Sequence, residues 1–211
     1  MTDLRALRRL GLARVAVLLA AGACKAYQLP SPAMAPTLLA GDYIYVSALL
    51  KPPTRKQIVV YEQGELTYIK RVVGLPGDTL AMRDGTLLVD GKPLTEVYAS
   101  HAFERPVHDS AFMWQRPFLV KTTRRAAYRP TLTTWGPIVV PVEMYFLLGD
   151  NRGESADSRY LGFVKARSIF ARPVWVYYSY DPDAARVRWS RIGMMIRDGA
   201  DAATPPRGRP N

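Results

Sequence analysis

Hydrophobic and polar residues alternate over many short segments from residue 27 onward, a pattern typical of β-strands with one buried face. In residues 42–49, for example, Tyr43 and Tyr45 alternate with Ile44 and Val46. The pair Asp90-Gly91, between two such segments, is typical of a type I′ hairpin turn. The sequence therefore predicts a β-rich domain, with strands at residues 42–49, 57–62, 66–74, 86–89, 92–94, 144–148 and 168–180.

The N-terminal segment, residues 1–26, is of another kind. It holds an apolar run at residues 10–24, preceded by Arg8 and Arg9. A helix that spans a bilayer needs about 20 residues, and only residues 15–24 are unbroken, so a span must recruit residues that precede them. The favoured interpretation is an uncleaved membrane anchor with a cytoplasmic N-terminus, because positive charge before an apolar run favours that orientation.

Two other interpretations of this segment stay open. Ala21-Gly22-Ala23 fits the small-x-small pattern of a cleaved secretory signal. Cys24 is the residue that a lipoprotein signal would acylate, although Ala21 fits poorly the aliphatic position of such signals. All three interpretations place the following domain at the outer face of the cytoplasmic membrane. A buried helix of a soluble protein is disfavoured, because arginine and lysine flank so apolar a run.

Three stretches lack a strand pattern. Residues 96–137 have no clear period and many Pro, Arg and Thr residues, and they are interpreted as a small insertion with some strand content. Residues 187–197 form a short amphipathic tail segment, and residues 199–211 are expected to be disordered. The domain itself is predicted to cover residues 27–198.

Composition and charge exclude several kinds of function. The chain has 211 residues, 48% of them hydrophobic, enough for one sizeable core. Lys and Arg outnumber Asp and Glu by 29 to 18, but they are spread along the chain without any nucleic-acid-binding motif. A solvated basic surface near anionic lipid is favoured, and no nucleic acid partner is expected. The one cysteine excludes an internal disulfide, and His101 and His108 stand beside no motif for a metal site or a Ser-His-Asp triad.

Three motifs carry the candidate chemistry. Residues 30–38 read Pro-Ser-Pro-Ala-Met-Ala-Pro-Thr-Leu and are followed by Gly41-Asp42. Residues 68–78 read Tyr-Ile-Lys-Arg-Val-Val-Gly-Leu-Pro-Gly-Asp. Residues 149–160 read Gly-Asp-Asn-Arg-Gly-Glu-Ser-Ala-Asp-Ser-Arg-Tyr and are followed by Gly162.

Together, in this order, the three motifs resemble those of the bacterial type I signal peptidases, membrane-anchored serine proteases of the Ser/Lys type. The resemblance implies a mostly β domain of antiparallel coiled sheets behind a single N-terminal anchor. It implies cleavage of signal peptides from exported preproteins, with signal peptides and membrane lipid as partners. The domain would lie on the outer side of the bacterial cytoplasmic membrane, and neither a metal nor an organic cofactor is implied.

Lys70 is the candidate general base. Burial lowers the pKa of a lysine, and a neutral amine at pH 7 can take the proton of a serine hydroxyl. On the strand alone, a lysine that reaches out to solvent is the favoured interpretation, and the match to the family motif reverses that preference. The resemblance further implies that Ser155 orients the amine, and that Ser31 and the backbone N–H of residue 33 form the oxyanion hole. Without the resemblance, both serines are ordinary turn residues.

The third motif also contains residues that the resemblance assigns to support of the site. Asp150 and Asn151 follow a glycine in what is expected to be a tight turn. Asp157 and Arg159 match a pair that braces the active site in the family. Without the resemblance, the two residues are interpreted as an ion pair at the protein surface, which differs little from that role.

The chain departs from the family pattern at residue 33, where the pattern has the nucleophilic serine and this sequence has Ala33. Alanine has no hydroxyl, so no acyl-enzyme forms there, and loss of a serine nucleophile costs about 10⁶ in kcat in a comparable protease. Ser31 is a poor substitute, because residues i and i+2 of an extended segment lie roughly 6–7 Å apart and Pro32 stiffens the link.

The expected function is that of a signal peptidase I-like serine endopeptidase, inactive as long as Ala33 is present. The alanine is either an introduced change or a natural one, and a natural one makes the chain a pseudopeptidase that binds extended peptides at the membrane. A weaker alternative is a peptidase of the same class dedicated to one substrate. The peptide is expected to bind as an added strand near residues 31–34 and 66–70, with small side chains in shallow apolar pockets.

The apolar N-terminal run generates the first testable prediction. We expect the full chain to partition with membranes at high salt, and a chain that begins near Tyr27 to be much more soluble, because the apolar run is then missing. Fractionation of both proteins measures the difference. A full chain that stays in the soluble fraction contradicts the anchor. Intact-mass measurement of the membrane form separates an uncleaved anchor from a chain with a lipid on Cys24.

Overall fold

The computed structural model of the chain describes residues 24–100, 109–121, 123 and 125–199. Over these residues the chain is mostly β, as predicted, with twelve strands in two antiparallel sheets and one single-turn α-helix, α1 (Ser158–Leu161). The strands are β1 (Cys24–Gln28), β2 (Asp42–Ala48), β3 (Ile58–Gln63), β4 (Leu66–Gly74), β5 (Thr79–Arg83), β6 (Thr86–Val89), β7 (Lys92–Pro93), β8 (Trp135–Val139), β9 (Met144–Leu148), β10 (Val164–Lys165), β11 (Ile169–Asp181) and β12 (Arg186–Val187).

The larger sheet has the strand order β1-β2-β11-β3-β4-β9-β10, and β12 pairs with β11 outside this path. Strand β11 extends over 13 residues and pairs with β2 on one side and β3 on the other. Register shifts along β11 let it bend while it keeps both partners. The alternation predicted for β2 is observed, since Ile44 and Val46 are buried whereas Tyr43 and Tyr45 are only half-buried.

The smaller sheet has the strand order β7-β6-β5-β8. Its β6–β7 hairpin turns at Asp90 and Gly91, whose φ angles are 50° and 75°. Two consecutive positive φ angles define the type I′ turn, so that prediction is confirmed. The sheet packs on the end of the larger sheet through a shared core that contains Leu80, Trp135 and Phe146.

The region at residues 96–137 does have the predicted strand content, in β8, but it is integrated into the core. It also forms the 3-10 helices Ser110–Phe118 and Arg125–Ala127. Phe112, Leu119 and Tyr128 are buried in the same cluster as the core residues of the smaller sheet. The contribution of this region to the core was not predicted, because it is rich in polar and proline residues and its buried positions follow no regular period.

Several strand bounds were predicted correctly, namely those of β4, β6 and β9. Strands β1, β5, β10 and β12 were not predicted, because each has five residues or fewer and too few positions to show an alternation. Strand β1 begins at Cys24, within the predicted N-terminal segment, and Lys25 pairs with Val46. The folded domain therefore takes in residues 24–26.

Other sequence interpretations fall wholly or partly beyond what the structure describes. The predicted anchor lies mainly in residues 1–23, the two histidines lie in residues 101–108, and the expected disordered tail lies beyond Gly199. Among the described residues, no helix is long and apolar enough to cross a bilayer. These interpretations stay predictions.

The amphipathic tail segment folds back onto the larger sheet. Met194 and Ile196 pack on the core cluster that lies beneath β2 and β11, whereas Trp189 and Met195 are exposed. The Ile196 N–H donates to the Val174 carbonyl at 2.8 Å. The tail therefore pairs along one edge of β11 and adds Met194 and Ile196 to the core.

The Asp42 carboxylate joins this tail to the start of the domain. It is fully buried and accepts from the Ser179 hydroxyl at 2.7 Å and from the Leu39 N–H at 2.8 Å. Arg191 of the tail donates Nε to Oδ1 at 2.9 Å and Nη2 to Oδ2 at 2.5 Å. Strands β2 and β11 and the tail thus share one buried anion.

We expect Asp42→Ala to lower the free energy of unfolding by about 3–5 kcal/mol, because it leaves a largely buried arginine and a buried hydroxyl without their partner. Urea unfolding followed by circular dichroism measures the change. The matched control is Asp181→Ala, which removes the ion pair with Arg188 at the surface and is expected to have little effect. Equal losses in the two variants would contradict the role given to Asp42.

Candidate active site

A pocket of about 240 Å³ opens between the segment that follows β1 and the first half of β4. Its lining comes from residues 27–31 and 33–34, from residues 67–70 and from Ala156. The lining therefore brings together Ser31 and Ala33 of the first motif and Lys70 of the second. These are the residues for which the sequence predicted a common site.

The Ser31–Met34 segment is folded differently from the sequence expectation. Residues Pro32–Met34 form a 3-10 helix and are not extended, because Pro32 fits the first turn of a helix and Ser31 caps it. The Ser31 hydroxyl accepts from the Ala33 N–H at 3.1 Å. The two groups expected to form an oxyanion hole are thus bonded to each other here. The estimate of the Ser31 to Ala33 separation for an extended chain does not apply.

Lys70 lies in the pocket wall with only 5% of its surface exposed. Its Nζ donates to the Ile69 carbonyl at 3.1 Å and lies 5.9 Å from the centre of the Tyr68 ring. A lysine that reaches out to solvent is thereby excluded. The expected hydrogen bond to Ser155 is not formed, because the buried Ser155 hydroxyl has no hydrogen-bond partner among the described residues.

Burial lowers the pKa of Lys70, because the charged ammonium loses solvation in the protein interior. The carboxylates of Asp157 and Asp150 act in the opposite direction, and the positive charge of Arg159 adds to the lowering. The net shift is downward. This is the direction that a lysine needs to act as a base near neutral pH.

The Asp150 carboxylate connects the three motifs. Arg71, next to the candidate base, donates Nε to Oδ1 and Nη2 to Oδ2, both at 2.7 Å. Thr37 of the first motif donates its hydroxyl to Oδ2 at 2.5 Å. The side chains of Arg71 and Asp150 are fully buried, so water does not compete for these bonds.

The backbone turn that contains Gly149 and Asn151 holds the third motif in contact with the first. The Asn151 N–H donates to the Ala33 carbonyl at 3.1 Å. A β-carbon at Gly149 would lie 2.2 Å from the Ser155 hydroxyl oxygen and 2.5 Å from the Ala33 carbonyl oxygen. Only glycine permits this approach, which places Ser155 close to the position expected for the nucleophile.

Asp157 and Arg159 form a buried pair and not a surface one. Arg159 donates Nε and Nη2 to the Asp157 carboxylate, each at 2.8 Å, and both side chains are fully buried. The Gly149 N–H donates to the same carboxylate at 3.0 Å. Burial acts to raise the pKa of Asp157, but the charge and hydrogen bonds of Arg159 outweigh it and hold the pKa below its usual value. The Ser155 hydroxyl also lies close enough to assist, although no hydrogen bond of ordinary geometry forms.

Sequence reasoning missed a second cluster that holds the same turn. The Arg152 guanidinium donates to both oxygens of Glu96, at 3.0 and 2.5 Å, and Tyr98 donates its hydroxyl to Glu96 at 2.9 Å. The Tyr98 ring stacks under Arg71, with the guanidinium carbon 3.9 Å from the ring centre. Glu96 and Tyr98 lie in the region interpreted as an insertion, and no local pattern connects them to Arg152.

One edge of β4 is open beside the pocket. Strand β3 pairs with β4 from Leu66 to Arg71, whereas on the opposite edge β9 begins its pairing only at Arg71. In the part of the chain that the structure describes, residues 66–70 have no partner strand on that edge. Unpaired backbone groups of an edge strand can bind an extended peptide.

The site contains no cluster that would bind a metal, since no group of three His, Cys, Asp or Glu with suitable spacing occurs among the described residues. The groups that the pocket offers for chemistry are the Lys70 amine, the hydroxyls and the backbone. A buried amine of lowered pKa can remove a proton or act as a nucleophile. Ala33 can do neither.

Comparison with known proteins gives one matching family. The family model described as "Signal peptidase, peptidase S26" matches residues 5–178. The signal peptidase I of Leptolyngbya laminosa is 31% identical over 163 residues, which cover 71% of this chain and 66% of the relative. The signal peptidase I S of Bacillus subtilis is 30% identical over 159 residues, which cover 74% of this chain and 77% of the relative. The chain thus spans about two thirds of the length of the first relative.

A crystal structure of a signal peptidase I from Enterococcus faecalis is 32% identical to the chain. The match covers 57% of this chain and 96% of that one, with a TM-score of 0.37.

The lowered pKa of Lys70 predicts a pH-dependent stability. The unfolded chain holds the lysine proton up to about pH 10.4, whereas the folded chain releases it at lower pH. Between the pKa of Lys70 in the folded chain and its pKa in the unfolded chain, unfolding takes up a proton. The free energy of unfolding therefore rises with pH in this range. We therefore expect the stability of the parent chain relative to Lys70→Met to rise with pH in the range below about pH 10.4.

Urea unfolding of both proteins at several pH values measures this difference, and subtraction removes the contributions of groups that they share. The control variant is Lys92→Met, whose lysine is exposed and whose difference from the parent is expected to be flat. A flat difference for Lys70→Met as well would show that the Lys70 amine keeps its proton in the folded chain.

Proposed function

The chain belongs to the signal peptidase family, peptidase S26, and from this we propose that it has the peptide cleft and the general base of a signal peptidase I but does not cleave while alanine occupies position 33. The observation that carries the proposal is the pocket in which buried Lys70 and Ala33 lie beside the open edge of β4. The substrates are the signal peptides of exported preproteins, and the site lies at the outer face of the bacterial cytoplasmic membrane.

The peptide binds as an added strand between residues 29–34 and residues 66–70. The open edge of β4 supplies backbone donors and acceptors, and the apolar lining from Leu29, Met34 and Ile69 receives small side chains. A ligand that pairs on this edge passes the β-carbon of Ala33 and the Lys70 amine. This is the arrangement that a peptide bond must reach in order to be cleaved.

With serine at position 33, the neutral Lys70 amine accepts the proton of the hydroxyl as its oxygen attacks the peptide carbonyl. Ser155, which lies against Gly149, orients the amine once the Lys70 side chain turns away from the Ile69 carbonyl. The oxyanion takes the Ser31 hydroxyl and the N–H of residue 33 as donors in place of their present hydrogen bond to each other.

A second candidate function follows from Ala33 itself. Lys70, Ser155, Asp157 and Arg159 remain in a built site that has lost only its nucleophile. A chain of this kind binds extended peptides at the membrane without cleaving them, as a pseudopeptidase. Binding is common to the two functions, and only cleavage by a restored serine separates them.

We expect the chain to show no measurable cleavage of a preprotein with an Ala-x-Ala site, and Ala33→Ser to restore cleavage. Serine adds one oxygen to the alanine side chain, so the change in packing is small. The rate in Ala33→Ser should rise with pH as Lys70 loses its proton. The assay is preprotein cleavage in detergent or vesicles, followed by gel and mass analysis.

The control is the double variant Ala33→Ser with Lys70→Ala, in which the hydroxyl has no base and cleavage should again be lost. Activity of the Ala33 chain that disappears in Ser31→Ala would identify Ser31 as the nucleophile and contradict the proposal. A folded Ala33→Ser protein that binds signal peptides but does not cleave them would favour the pseudopeptidase.

A further inference from the structure

The Lys70 amine faces a ligand pocket in which the side chain expected to use it is missing. We propose that in this chain Lys70 is itself a nucleophile, and that its amine captures an aldehyde at the end of an extended peptide as an imine. The inference rests on the peptide cleft of the proposed function. It assigns Lys70 an addition to a bound carbonyl carbon that a serine at position 33 would otherwise carry out first.

The surroundings of the amine favour its neutral, nucleophilic form. Among the described residues, no carboxylate lies within ion-pair distance of Lys70. The two nearby carboxylates are already occupied, Asp150 by Arg71 and Asp157 by Arg159. Arg159 adds positive charge near the amine, and burial among pocket residues removes water from it. Such desolvation is a known way to activate a lysine amine.

Ala33 leaves the amine without a competitor. A hydroxyl at this position would donate a hydrogen bond to the lone pair of the neutral amine and would itself add to a bound carbonyl carbon. The alanine methyl group can do neither, and the only hydrogen bond that Lys70 Nζ donates in the described structure goes to the Ile69 carbonyl. A neutral amine keeps a lone pair that this donated bond does not use.

The covalent step is balanced without any further reactant. The nitrogen lone pair of Lys70 adds to the aldehyde carbon, the C–N bond forms, and the carbonyl oxygen takes a proton from the amine. Loss of water then gives the imine, and addition of water reverses it. Peptide amides are too weakly electrophilic for this reaction, so the proposal agrees with a chain that does not cleave peptide bonds.

The pocket selects the class of aldehyde. Its lining is mostly apolar and includes Ala33, Ala156 and Ile69, and the edge of β4 offers backbone pairing to an extended chain. A short peptide that ends in a small aldehyde, such as acetyl-Ala-Ala-alaninal, combines both features. Ligands with a bulky last side chain should react more slowly.

The experiment labels the full chain in detergent near neutral pH with acetyl-Ala-Ala-alaninal and cyanoborohydride, which reduces the imine to a stable amine. Peptide mapping by mass spectrometry then gives the labelling rate at each lysine. We expect Lys70 to be labelled severalfold faster than the exposed Lys51 and Lys92, since burial in the pocket raises the neutral fraction of its amine and the cleft holds the aldehyde beside it.

Three controls test the parts of the inference separately. The alcohol acetyl-Ala-Ala-alaninol has no aldehyde and should protect Lys70 by occupying the cleft. Lys70→Met should lose the fast site and keep the slow labelling of exposed lysines. Ala33→Ser should lower the labelling of Lys70 severalfold, because the new hydroxyl competes for the aldehyde.

Propanal, which needs no peptide cleft, makes the two proposals separable. Fast labelling of Lys70 by propanal without any response to the peptide aldehyde or alcohol would support the nucleophile and overturn the peptide cleft. If the alcohol binds by calorimetry but neither aldehyde labels Lys70 faster than Lys51, the nucleophile is overturned and the cleft stands. Fast labelling by both aldehydes, with protection by the alcohol, supports both.

Discussion

The buried bond between Asp150 and Arg71 is the interaction on which the candidate site depends. A charge with no access to water is stable only if its partner saturates it, and here a two-point guanidinium bond and the Thr37 hydroxyl do so. Each of these three residues belongs to a different sequence motif. The ion pair therefore sets the separation of the motifs, and Ala33 and Lys70 are brought to one pocket as a consequence.

Arginines also determine the electrostatics around Lys70. Asp150 and Asp157 are near enough to favour the charged amine, yet each is paired with an arginine closer than the lysine. Their attraction for the amine is thereby reduced, and burial prevails. The fold thus keeps two carboxylates as scaffolding beside a lysine without giving that lysine a counter-ion.

The elements predicted from the sequence are those that depend on a pattern of neighbouring residues. Strand β4 was predicted residue for residue because it is a run rich in β-branched and aromatic residues that ends at a glycine. The resemblance grouped Lys70 with Ala33, and the two residues line one pocket. The 3-10 turn at Pro32–Met34 was not predicted, although Ser31 caps it locally. Its contact with Asn151 joins residues more than a hundred positions apart, which no local pattern shows. The ion pair between Glu96 and Arg152 was not predicted for the same reason.

The return of the tail to Asp42 has a consequence for the order in which the chain can fold. Asp42 is synthesised well before Arg191, with which it pairs. The Ile58 N–H likewise cannot donate to the Asp198 carboxylate until that residue has been synthesised. Until residues 191–198 have emerged, the strands that precede them carry an uncompensated acid and an incompletely covered core. The domain is therefore completed only after these residues are made, with slow folding expected from contacts of such high sequence separation.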